Sequence, residues 1–206
     1  SERPEGHRPS SARKRVEMIH VPLLHRAKTP EQVEEALQAG ENIEFVRRDK
    51  TPLMVACDAR DLPVAESLLS HGADPDSGAI KTTTPLLRAC DKGHIEVIEL
   101  LLRFKANPNL RDQHRMTPLM IACRRAQPDM ISLLVQHGSD YNAAIAGRNI
   151  LIWACEKGHT ELVDRLLQRG VDVNMATNGG KTCLMWACER GNTSIVDLLL
   201  ARGADP

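Results

Sequence analysis

The sequence predicts an all-α solenoid of stacked helix-turn-helix units joined by hairpin-like loops, and three observations carry that prediction. A motif recurs five times: TPLMVAC at Thr51, TPLLRAC at Thr84, TPLMIAC at Thr117, NILIWAC at Asn149 and TCLMWAC at Thr182. The steps between copies are 33, 33, 32 and 33 residues. At that period each unit is one supersecondary element that buries its apolar face only by stacking on its neighbours. Composition fits: 42% of residues are hydrophobic but only 2% aromatic, so the core is Leu, Ile, Val, Ala, Met and Cys, which suits thin helices at close range.

Residues 84–112 show why each element forms. Thr84 supplies an N-cap oxygen, and Pro85 takes the first helical position, where its missing N–H is not needed. The first helix carries Leu86, Leu87, Ala89 and Cys90 and stops at Gly93, the residue type that most easily turns left-handed. A second helix follows from His94. Its residues Ile95, Val97, Ile98, Leu101 and Leu102 make an apolar face wide enough to touch both the partner helix and the next unit. From Asn107 to Thr117 the chain is rich in Asn, Pro, Asp and other polar residues, as an extended turn requires.

Helix, turn, helix and loop in 33 residues, opening on T-P-L and closing on L-L-x-x-G-A-D-x-N, resembles the ankyrin repeat. The endings LLSHGADPD, LLVQHGSDYN, LLQRGVDVN and LLARGADP carry the same pattern. The resemblance covers about residues 29–206. It implies an ankyrin-repeat domain over 18–206, with repeats at 47–79, 80–112, 113–144, 145–177 and 178–206 and a degenerate repeat at 18–46. Residues 1–17 form a basic tail with too few apolar residues to fold, so it is expected to be largely disordered. In the degenerate repeat, Thr29-Pro30-Glu31-Gln32 reads as a capping box before a second helix, with the first helix expected from Met18 to Ala27. The chain has no initial Met and stops at Pro206 with no polar closing unit, so it is expected to be a piece of a longer protein.

Several positions depart from the family pattern. The usual His after T-P-L is replaced by Met54, Leu87, Met120, Ile152 and Met185, which removes a polar tie between turns. Gly gives way to Arg60 and Ala126 at first-helix ends and to Lys105 at a second-helix end. Each replacement costs about 1 kcal/mol if the left-handed geometry is kept. Asn149-Ile150 and Thr182-Cys183 lack the helix-starting proline.

Lys and Arg together number 27, as do Asp and Glu, so net charge selects no partner. The longest apolar run, Ile150 to Cys155, is far below the roughly 18 residues of a membrane span, and the first twenty residues lack the apolar centre of a signal peptide. Of six cysteines, Cys57, Cys90, Cys123, Cys155 and Cys188 share one repeat position. Neighbouring helices sit about 8 to 10 Å apart, too far for a disulfide within that column, so unpaired thiols and a reducing, intracellular compartment are expected. No P-loop, G-x-G-x-x-G, H-E-x-x-H, G-x-S-x-G or paired C-x-x-C occurs, so neither enzymatic activity nor a cofactor or metal is expected. Asn192-Thr193-Ser194 matches a glycosylation acceptor but falls on a helix start.

The resemblance implies a protein-interaction module whose concave face is formed by the loop tips and the ends of the first helices. On this chain those positions hold Arg47, Arg48, Lys50, Lys81, Lys92, Arg124, Arg125, Arg148, Lys157, Lys181 and Arg190, against Asp58, Asp91, Glu156 and Glu189. The second helices carry an acidic bias. A one-sign groove steers oppositely charged partners and makes binding salt dependent; the bland alternative is a set of solvated charges. Trp153 and Trp186 share one column, either as packed framework or as partner contacts. The expected partner site is therefore Met116, Arg124, Arg125, Arg148, Trp153, Lys157, Lys181, Trp186 and Arg190, taking a protein or peptide, acidic by charge, onto a monomer. Asn174 is similar to loop asparagines that serve an asparaginyl hydroxylase, or else simply ties its loop. A regulatory or targeting domain of a larger enzyme or channel is the competing function. Nucleic-acid binding, prompted by Arg13-Lys14-Arg15, lacks aromatic stacking platforms.

Overall fold

The computed structural model describes residues 22–78, 83–141, 143–144 and 147–206, and among them eleven α-helices stand without a strand. Helix α1 (Pro30–Gln38) precedes five helix pairs. These are α2 (Pro52–Ala59) with α3 (Leu62–Ser70), α4 (Pro85–Lys92) with α5 (Ile95–Arg103), α6 (Pro118–Arg124) with α7 (Pro128–Gln136), α8 (Ile150–Lys157) with α9 (Thr160–Gln168), and α10 (Cys183–Glu189) with α11 (Thr193–Ala201). The first helix of each pair packs on the first helix of the next, and the second helices form their own layer, loosest between α7 and α9. Isolated bridges, Arg47 with Lys50 and Ala176 with Thr182, pin two of the turns between pairs. The expected disorder of residues 1–17, and Lys81, lie outside the described residues.

The recurring motif works as a cap. The side chains of Thr51, Thr84, Thr117, Asn149 and Thr182 accept the N–H of Met54, Leu87, Met120, Ile152 and Met185 at 3.0 to 3.3 Å. Four of these caps are themselves buried, so the first turn of each helix is satisfied without water; a cap of this kind contributes about 1 kcal/mol. At Thr29 the box closes one residue early: Gln32 N–H donates to Thr29 Oγ at 3.4 Å, while Gln32 Oε1 accepts from Lys28 N–H at 2.8 Å.

Of the first helix expected from Met18 to Ala27, the described part is a single 3-10 turn at Leu23–His25. Pro22 opens it, and the Glu41 carboxylate accepts from the N–H groups of Leu23 and Leu24 at 2.8 and 2.9 Å. A carboxylate from the following turn thus supplies the acceptors.

The core runs unbroken along the stack, from Leu24 to Ala204. Cys57, Cys90, Cys123 and Cys155 are buried within it, and burial pushes the Cys57 thiol up to about 12, assisted by the charge of Asp58. Cys188, in the same column, is exposed, as are Met185 and Leu200, because no further pair covers α10 and α11 in the structure.

Where glycine is replaced, the backbone still turns left-handed: φ is +59° at Arg60, +68° at Lys105 and +57° at Ala126. Gly147 is the reverse case, since at φ +76° a Cβ would lie 2.6 Å from the Asn178 backbone nitrogen. Lys105→Gly and Ala126→Gly are expected to raise stability by about 1 kcal/mol each. Gly147→Ala is expected to lower it by about 2 kcal/mol or more, because strain and a backbone clash combine. Urea denaturation of the three variants checks all three signs.

Candidate functional site

The first-helix layer carries a ladder of ion pairs that runs from one repeat to the next. Its rungs are the acids that follow the recurring Cys. Asp58 receives Lys50 Nζ at 2.7 Å from the turn of its own repeat, and Arg88 Nη2 at 2.5 Å and Lys92 Nζ at 2.8 Å from the next. Glu156 receives Arg148 at 3.3 Å from its own turn and Arg190 at 3.5 Å from the next repeat. Asp91 is reached by Arg124 at 3.2 Å, and Glu189 by Lys181 at 2.7 Å.

The Asp58 and Glu156 side chains are only 12% and 11% exposed, whereas their partners reach solvent more freely. Burial alone would raise the Asp58 carboxyl, yet hydrogen bonds from Arg88, Lys50 and Lys92 outweigh it and hold the group well below the usual carboxylate range. These two acids are structural pins of the stack.

Between the fourth and fifth repeats the ladder gains aromatic steps. Lys181 Nζ lies 4.3 Å from the Trp186 ring centroid, and the Arg148 guanidinium lies 4.9 Å from Trp186 and 5.6 Å from Trp153. Cation, ring, cation and ring therefore alternate, an arrangement worth about 0.5–1 kcal/mol per contact where exposed and more where desolvated. Both rings are half-buried and packed on the core. Their Nε1–H donors are shielded from solvent without an acceptor.

Among the sequence-predicted residues, Arg148, Trp153, Lys181, Trp186 and Arg190 are brought together on this face. Lys157 is exposed at the end of α8. Arg124 and Arg125, both exposed, sit in the third repeat, next to the fourth, and Arg125 Nη1 donates to the Asp91 carbonyl at 2.6 Å. Met116 is a correction: its side chain is buried in the core and is withdrawn from any partner. Arg125 closes the short helix α6 before the left-handed Ala126, which turns its side chain back toward the preceding repeat.

Sequence reasoning weighed Asp58, Asp91, Glu156 and Glu189 only as opposing charge and missed that they pin the cations. A signal was there. Lys50 and Asp58, Arg148 and Glu156, and Lys181 and Glu189 are each eight residues apart, one on the turn before the cap and one just after the Cys. Where the turn residue is Met116, the matching position is Arg124, which reaches Asp91 of the preceding repeat instead.

Asn174 ties adjoining loops. Its Nδ2 donates to the Gly203 carbonyl at 3.4 Å and to Asp205 at 3.0 Å, and its Oδ1 accepts from Asp205 N–H at 2.9 Å. Asn109 ties its loop in the same way two repeats earlier, donating to the Gly138 carbonyl at 3.2 Å and accepting from Asp140 N–H at 2.7 Å. Elsewhere, a groove of about 460 Å³ between α7 and α9 has Ile131, Val135, Leu162 and Leu166 in its lining. Its cation Arg165 is engaged by Glu161 and Arg169 lies over Tyr141. Among the described residues no cluster of His, Cys, Asp or Glu could hold a metal ion, and no helix is long and apolar enough to cross a membrane.

The family model for ankyrin repeats matches residues 53–145 and 142–206. A crystal structure of an ankyrin repeat domain from Acinetobacter baumannii AYE is similar at a TM-score of 0.76 and 26% identity, covering 88% of this chain and 98% of that one. The ankyrin repeat protein EF0377 is similar at a TM-score of 0.75 and 25% identity, covering 90% of this chain and 99% of that one. No curated protein matches the chain.

Asp58→Asn leaves three cations around a neutral amide and is expected to cost about 1–2 kcal/mol at neutral pH, after allowing for their partial exposure. Because the folded carboxyl titrates below its unfolded value near 4, its contribution is complete above that pH and is lost as pH falls toward the folded value. Chemical denaturation at pH 7 and again between pH 4 and 2 is expected to show wild type losing stability more steeply than the variant.

Proposed function

We propose that this chain, which belongs to the ankyrin-repeat family, is a scaffold or adaptor that holds an acidic segment of a partner protein along its concave face. Ankyrin repeats are generally protein–protein interaction modules and are generally non-catalytic. The observation that carries the finer reading is the alternating stack of Lys181, Trp186, Arg148 and Trp153. Flat apolar area and positive charge lie side by side there, a combination found where binding energy concentrates.

Cations outnumber acids along this face, and Lys157, Arg124 and Arg190 present exposed charge along it. A partner carboxylate competes with Glu189 or Glu156 for Lys181 and Arg190, exchanging one ion pair for another. That exchange favours specificity and fast association over raw affinity. Nucleic acid fits less well, because the protein's own cations already occupy the ring faces a base would stack on. The double tie made by Asn174 favours a loop-holding role over hydroxylation. Free buried thiols favour an intracellular, reducing compartment.

The test is an array of Asp- and Glu-rich peptides read by fluorescence of Trp153 and Trp186, followed by titration of the best binder. Combined Arg124→Glu, Lys157→Glu and Arg190→Glu changes are expected to weaken binding at least about tenfold and flatten its salt dependence, with helicity unchanged. Equal affinity of the reversed variant, or equal binding of single-stranded DNA, contradicts the proposal.

A further inference from the structure

The structure brings together two thiols that the repeat pattern alone keeps apart. Cys155 lies near the end of α8, in the recurring Cys column, and is fully buried. Cys183 is the first residue of α10 and is also fully buried. Helices α8 and α10 pack side by side, and the Cys183 thiol lies near enough to Cys155 to act on its ionisation. Both are free thiols in the structure.

The coincidence has a sequence origin. Helices α2, α4 and α6 open on Pro52, Pro85 and Pro118, and α8 opens on Ile150. The same position of α10 carries Cys183. In the register of the repeats, Cys183 stands where the earlier units carry Pro52, Pro85 and Pro118. Only where the helix-opening position is itself Cys does the column meet a second thiol.

We propose that Cys155 and Cys183 form an oxidisable dithiol whose disulfide staples the fourth repeat to the fifth. The oxidant is a peroxide. One sulfur attacks the peroxide oxygen and becomes a sulfenic acid, with release of one water. The second thiol then attacks that sulfur, forms the S–S bond and expels a second water, so two thiols and one peroxide give one disulfide and two waters.

Contact with Cys183 and burial push the Cys155 thiol far above its ordinary range, so the closed stack keeps the pair unreactive. Reaction proceeds through local opening of the fifth repeat, which parts α10 from α8 and admits the peroxide. The staple would then hold α10, and α11 packed on it, against α8. This reading is independent of what binds the concave face.

The test uses the full chain carrying Cys188→Ala, which removes the exposed thiol. The protein is treated with hydrogen peroxide, in buffer and at the urea concentration where the last repeat opens, then denatured and alkylated. Two of the five remaining thiols are expected to escape alkylation, with a Cys155–Cys183 linked peptide by mass spectrometry, reversed by dithiothreitol. Hydrogen exchange in α10 and α11 is expected to slow on the order of a hundredfold after oxidation. Cys183→Pro, which restores the residue of the earlier helices, is expected to abolish the link while keeping the fold. Five alkylated thiols under both conditions, or a link through Cys123 or Cys90, overturns the proposal.

Discussion

Packing against neighbours along a single direction is the constraint on which everything else here depends. No helix pair of this chain encloses a core of its own. Leu86, Leu101, Leu119, Leu134 and Leu151 are essentially fully buried because a pair lies before and after each of them. Where that cover ends, burial ends with it: Cys188, Met185 and Leu200 are exposed in the last pair although their counterparts inside the stack are not. Stability in such an architecture is a sum of neighbour terms, so an interaction that crosses from one repeat to the next matters more than one confined within a repeat.

The ion-pair ladder is that kind of interaction. Arg88 and Lys92 reach back to Asp58, Arg124 to Asp91 and Arg190 to Glu156, each crossing one repeat boundary. Isolated surface pairs contribute little, but a network around a nearly buried carboxylate resists rearrangement. The same residues thus hold the register of the stack and present its charge. On the proposed function, a partner meets a surface that is already half neutralised, and it must be the better acceptor to displace what is there. Such a surface discriminates among partners more than it attracts them.

Much of the fold was legible because its causes are local and repeated. A threonine cap, a proline at the first helical position and a left-handed residue at the end are encoded within a dozen residues, and five copies remove the ambiguity of one. Even the departures were readable, since Arg60, Lys105 and Ala126 stand where glycine is expected and keep its geometry. The site was less legible because it depends on contacts about 30 residues apart. Charges could be assigned to a face, but their pairing across repeats could not, so cations that pin Asp58 and Glu156 read as open groove. Met116 was misplaced for a related reason: its neighbours on the turn are polar, while its side chain turns inward. The meeting of Cys155 with Cys183 escaped notice because the cysteine column was compared only with itself.

The central claim is that the layer of first helices, with its cations and half-buried tryptophans, is the surface a partner protein occupies. Hydrogen–deuterium exchange on the complex with the tightest-binding acidic peptide tests it most directly. Slowed exchange at the ends of α8 and α10 and in the turns around Arg148 and Lys181, with α9 and α11 unchanged, is the result expected. Protection centred on the second helices, or on the groove between α7 and α9, would contradict it.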